Sequence, residues 1–172
     1  DFVATTKSPK RNRTILSLTH FAGLRIGECA ALRVCDVLAK DGTVRNQFTL
    51  SPEQTKGSSS RTVLLNERVQ AELAVYLQTV RVRDPKQPLF ASQRSEGFTA
   101  SSLTQVINGI YKKAGFDQCS SHSGRRSFAT RASSKGISMR VLQKLMGHKN
   151  IQTTSIYIYA SDDMLRNAVE LI

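Results

Sequence analysis

A chain of 172 residues with 40% hydrophobic and 22% charged residues has the composition of a folded domain with its own core, which excludes a disordered segment. Lys and Arg number 25 against 13 Asp and Glu, a formal net charge of +12, so the expected partner is a polyanion, nucleic acid first. No apolar run approaches the roughly 18 residues of a membrane span and no signal-peptide pattern is present. Three cysteines without framework spacing, Cys29, Cys35 and Cys119, suit a reducing compartment.

Residues 11–22 read as a helix, with Ile15, Leu18, Phe21 and Ala22 at helical spacing and Gly23 ending it. A short helix over 27–34 follows, with Ala30, Ala31 and Val34 on one side. Asp41-Gly42 is a hairpin signal between 37–39 and 44–50, where Val44, Phe48 and Leu50 keep even spacing. After a Ser-rich loop, 61–65 reads as a third strand. Asn66 caps a helix running to about 80, and Pro85 and Pro88 mark an extended connection. Thr99 caps the next helix, which ends near Gly115. Helices over 123–134, 138–146 and 152–159 follow, punctuated by Gly136 and Gly147. A last helix, 162–172, opens on two acids, where its dipole favours them. The predicted class is α+β: a mainly helical domain with a small three-stranded antiparallel sheet.

The chain contains no P-loop, no G-x-G-x-x-G and no G-x-S-x-G. Cys119 and His122 have the spacing of half a zinc site, but no second pair completes it, so neither metal nor cofactor is predicted. The charge is concentrated. Between Asp117 and Asp162 no acid occurs, while Arg125, Arg126, Arg131, Lys135, Arg140, Lys144 and Lys149 do. Solvated helix faces ordinarily mix signs.

That window holds His122-Ser123-Gly124-Arg125, Phe128-Ala129-Thr130, Gly147-His148 and Thr153-Thr154-Ser155-Ile156-Tyr157. Earlier stand Gly23-Leu24-Arg25-Ile26-Gly27-Glu28 and Thr55-Lys56-Gly57. In this order the set resembles the catalytic domain of the tyrosine recombinases, or phage-type integrases, over nearly the whole chain. The resemblance implies catalytic roles for Arg25, Lys56, His122, Arg125 and His148, with Tyr157 as nucleophile and Glu28 in support. It implies a site-specific enzyme that cuts and rejoins double-stranded DNA through a 3′-phosphotyrosine, without ATP or metal. It further implies a homotetramer on paired sites with exchange of the C-terminal tail, in the cytoplasm with the nucleoid. Because the chain opens at Asp1 rather than Met, 1–172 is expected to be the catalytic domain alone, its N-terminal DNA clamp missing. Two departures stand out: Arg126 occupies the place of a second His in many relatives, and the Lys56 loop is rich in serine.

The chemistry agrees with the residue types. Two guanidiniums can grip the non-bridging oxygens of a phosphodiester and favour a pentacoordinate transition state. His122 and His148 can donate hydrogen bonds or carry a proton, and Lys56 can protonate the leaving 5′ oxygen. A tyrosine hydroxyl, with a reference pKa of about 10, needs cations around it to attack at neutral pH. Taken singly, each residue has a plainer role: Arg25 a turn paired to Glu28, Lys56 a solvated loop lysine, His122 a helix cap, His148 a residue past a helix end, Tyr157 a half-buried aromatic. Tyr159 is the other candidate nucleophile. The alternatives in function are a type IB topoisomerase-like enzyme and a helix-turn-helix binder built on 123–134 and 138–146.

Overall fold

The computed structural model describes residues 1–56, 59–92, 97–157, 165–166 and 169–170. The helix α1 (Pro9–Phe21) starts with Pro at its first position and ends before Gly23, whose φ of 65° is open to glycine without strain. It packs against α4 (Glu67–Leu77) and α6 (Ser123–Ser134). Ile15 and Leu18 are fully buried, joined by Leu24, Leu73, Leu103 and Ile107 in the main core. Phe21, expected on the apolar face, is only half-buried and lies beneath the guanidiniums of Arg68 and Arg131. The α5 helix (Ala100–Lys113), capped by Thr99, closes the core against α2 (Ile26–Ala31).

The single helix expected over 27–34 is two: α2, then α3 (Val34–Val37). Leu32 and Arg33 between them are extended because the 85–89 segment claims backbone groups on either side of Arg33. Leu89 N–H donates to the Leu32 carbonyl at 2.7 Å, and Val34 and Cys35 donate to the Gln87 and Pro85 carbonyls at 3.0 and 2.8 Å.

The sheet also differs from expectation. Among the described residues it has two antiparallel strands, β1 (Gln47–Leu50) and β2 (Arg61–Leu64), with Leu50 opposite Arg61. The turn at Asp41-Gly42 does form, but 37–39 and 44 meet in one isolated bridge, Leu38 with Val44. The bridge rests on Ala39 N–H donating to Thr43 and Arg45 N–H to Val37, both at 2.8 Å, and it cannot lengthen into a third strand because Val37 still belongs to α3 on one side and the turn begins on the other.

Past α5, the window of basic residues folds as α6, α7 (Met139–Met146) and α8 (Gln152–Ser155). Ala129, Ala132, Leu142 and Met146 form a second, smaller core, flanked by Phe128 and Tyr157. Ser138, read from sequence as the first residue of this helix, caps α7 instead, its hydroxyl accepting from Val141 N–H. The helix expected over 152–159 stops at Ser155, with 156–157 in a turn; 158–159, and most of the 162–172 helix, lie outside the described residues. No helix among the described residues is long and apolar enough to cross a membrane.

Candidate active site

The site grows from the C-terminal end of α7. A helix leaves its last four carbonyls without internal partners. Here all four are met. His148 N–H donates to Gln143 at 3.1 Å, and Gly147 N–H, at a left-handed φ of 61°, to Lys144 at 3.1 Å. The Leu145 carbonyl accepts from Arg61 Nη1 at 2.8 Å, and the Met146 carbonyl from Arg125 Nη2. Two guanidiniums from distant parts of the chain therefore cap the helix that presents Gly147-His148, at the negative end of its dipole.

Arg125 is 5% exposed. Besides Met146 it donates from Nη1 to the Gly23 carbonyl and from Nη2 to His148 Nε2, the last at 3.1 Å. It so ties the end of α1 to the end of α7. Burial, and then the nearby Arg25 charge, push its pKa down to about 9. The cation persists at neutral pH but is crowded, a state that an arriving anion relieves.

His148 is fixed by both neighbours. A guanidinium can only donate, so Nε2 accepts from Arg125, and Nδ1 carries the proton given to Thr154 Oγ1 at 2.9 Å. The ring is thus neutral. Burial first, then Arg125, Arg25 and Arg61, push its pKa down to about 4. Tyr157 lies alongside, the two rings nearly parallel at 21° with centroids 6.3 Å apart. The tyrosine is half-buried, and its hydroxyl makes no hydrogen bond among the described residues.

Arg25 caps α2, its guanidinium donating to Glu28 Oε1 and its backbone N–H to Oε2, both at 2.8 Å. Glu28 is 1% exposed. Burial alone would raise its carboxyl. The Arg61 hydrogen bond and charge, with the Arg25 N–H, outweigh that and hold it below the usual carboxylate range. Arg25, Lys56 and His148 line one cleft of about 440 Å³ with Thr55, Ser59, Arg61, Lys149 and Thr153.

Of the predicted residues, Arg25, Glu28, Arg125, His148 and Tyr157 come together around α7 and α2. Lys56 is exposed on the cleft wall and makes no hydrogen bond among the described residues. His122 stands apart from the cleft: it is exposed at the start of α6, one turn before Arg125, without a side-chain cap bond. Tyr159 lies outside the described residues. Two residues were not singled out from sequence. Thr154, quoted only as a motif letter, is fully buried and sets the His148 tautomer. Arg61, read only as the start of a strand, is a buried partner of Glu28.

Guanidiniums, a neutral histidine and a tyrosine held at converging helix ends define an oxyanion-binding class of site. Residues 1–164 match the model of the phage integrase family, and the chain belongs to that family. It is 29% identical over 164 residues to tyrosine recombinase XerC of Bacillus subtilis (strain 168), covering 91% of this chain and 52% of that protein. It is 31% identical over 169 residues to tyrosine recombinase XerA of Pyrococcus furiosus, covering 95% and 55%. The chain spans about half the length of the curated relatives it matches. The crystal structure of XerA recombinase shares the fold at a TM-score of 0.77 and 27% identity, over 99% of this chain and 59% of that one. The Tn1549 transposon integrase, solved in complex with a circular intermediate DNA, shares it at a TM-score of 0.77 and 21% identity, over 99% and 62%.

Proposed function

We propose that this chain is the catalytic domain of a site-specific recombinase that cleaves and rejoins double-stranded DNA through a 3′-phosphotyrosine. The observation that carries the reading is the junction of Arg125, neutral His148 and Tyr157 beside the cleft of Arg25 and Lys56. Arg25 and Arg125 bind the non-bridging phosphate oxygens; three N–H groups of Arg125 already serve the fold, leaving two of its five for substrate. The Tyr157 oxygen attacks phosphorus while the bond to the 5′ oxygen breaks, and Lys56 protonates that oxygen to leave a free 5′ hydroxyl. His148, neutral and fixed, supports the phosphate and can take up a proton; His122, at the start of α6 one turn before Arg125, reaches the phosphate once DNA is bound. One phosphoester replaces another, so no ATP is consumed, and the chemistry calls for no metal.

Several features extend the proposal. The relatives' greater length supports a further domain that completes the grip on DNA. A tetramer on two paired sites, exchanging C-terminal tails, couples four such centres, and the enzyme works where the chromosome lies. The test is incubation with nicked duplexes carrying candidate sites, scored for a covalent protein–DNA band. Tyr157→Phe should abolish the band and leave non-covalent binding nearly unchanged, because only a hydroxyl is lost. Mapping the phosphotyrosine to Tyr159 would move the nucleophile and keep the reaction class. A helix-turn-helix binder would give no band, and a topoisomerase-like enzyme would give one without exchange between two sites.

A further inference from the structure

Arg61 is the first residue of β2, at the root of the loop that carries Lys56. Its side chain is 8% exposed and has three roles at once. Nε and Nη2 fork onto the two oxygens of Glu28, at 3.3 and 2.7 Å, and Nη1 donates to the Leu145 carbonyl at 2.8 Å. Its aliphatic stem fills the space where Gly147 would carry a Cβ, so the glycine before His148 is dictated as much by Arg61 as by its own positive φ. Glu28 in turn holds the backbone and guanidinium of Arg25.

We propose that Arg61 is a positioning residue for strand transfer. It keys the Arg25 turn, the Gly147-His148 turn and the root of the Lys56 loop to one another, and it cancels the Glu28 charge so that Arg25 keeps its own for the phosphate. The inference rests on the strand-cleavage reading above. The electrostatics run in its favour. Three guanidiniums surround one carboxylate, and attack on a phosphodiester builds a second negative charge. With Glu28 matched by Arg61, Arg25 and Arg125 each face that charge as a full cation. A lysine could supply the charge, but one ammonium cannot fork onto a carboxylate and reach a helix-end carbonyl together.

The experiment compares Arg61→Lys, Arg61→Gln, Glu28→Gln and the paired Arg61→Gln with Glu28→Gln, the last removing both buried charges in case a single change prevents folding. With nicked duplex at saturation, Arg61→Lys should form the covalent adduct about 10²-fold more slowly, the scale of a misplaced reacting group. Its non-covalent DNA affinity should stay close to the parent's, and its melting temperature should fall only modestly, since one ammonium leaves the Leu145 carbonyl or a Glu28 oxygen unmet, so rates are read well below it. The paired variant should lose little beyond Arg61→Gln alone, as members of one unit do. Adduct formation by Arg61→Lys at the parental rate, or independent addition of the two losses, overturns the proposal. Histidine ring NMR supplies a readout without DNA: in Arg61→Lys the His148 signals should move while those of His20, on α1, stay. If the parent chain forms no adduct, the cleavage reading falls and this arm alone decides Arg61, with unmoved His148 signals overturning it.

Discussion

At the scale of single residues, Arg25 and Arg125 are unequal. Arg25 lines the cleft with its side chain 29% exposed and Glu28 as its one ion partner among the described residues. Arg125 is buried and answers the carbonyls of Gly23 and Met146. Arg25→Ala should therefore cut adduct formation by ~10²-fold or more and melt close to the parent. Arg125→Ala should lose activity and stability together, since it strands two carbonyls at about 1–3 kcal/mol each; thermal denaturation of both variants checks the split. An H-x-x-R spacing announces an arginine on a helix but says nothing of the carbonyls waiting at residues 23 and 146, which is why the structural half of Arg125 was invisible in sequence. His148 has its own signature. Its folded pKa of about 4 lies below the free value of 6.5, so unfolding takes up a proton between them. The stability that neutral His148 contributes is complete above pH 6.5 and is lost as pH falls toward 4. Glu28, held below the usual carboxylate range, loses its share further into acid. A histidine NMR titration should find His148 still neutral at pH 5.5.

At the scale of elements, local signals were legible where local physics decides. The caps Asn66 and Thr99, and the turn at Asp41-Gly42, all stand where their side chains or dihedrals call for them. What failed to show was competition between elements: the 85–89 segment splitting α2 from α3, and α3 running on to Val37, which leaves no extended residues before Leu38 for a third strand. Motif letters acquire reasons the same way. A Cβ on Gly124 would overlap Thr19 and His20, so the glycine in His122-Ser123-Gly124-Arg125 lets α6 lie close on α1. Gly23 meets the Phe128 ring likewise, bringing two motifs a hundred residues apart into contact. Gly124→Ala should destabilise the fold by about 1–3 kcal/mol, the usual cost of overpacking, and lower the melting temperature despite alanine's better helix propensity.

At the scale of the molecule, charge is the organising quantity. Of the cations between Asp117 and Asp162, only Arg125 is buried; Arg126, Lys135, Arg140 and Lys144 are exposed and form no ion pair among the described residues. Such a face gains affinity for a duplex by releasing counterions, each neutralised phosphate adding about 0.9 to the slope of log affinity against log salt. Fluorescence anisotropy with a short duplex should show affinity falling steeply between about 50 and 200 mM salt, and salt-independent binding would count against the whole reading. The same chain should show little sequence preference, because a field of lysines and arginines reads phosphates, not bases.

The four closed carbonyls at the end of α7 carry one more consequence. Two of them are closed by guanidiniums rooted in β2 and α6, so this helix end cannot fray by itself. Opening it means detaching both arginines, hence dismantling the oxyanion site and much of the second core in one event. The amides of Gly147 and His148 should then exchange with deuterium at the pace of global unfolding rather than of a loop. A nascent or half-melted chain would hold none of the pocket, and so would be harmless to any DNA it met.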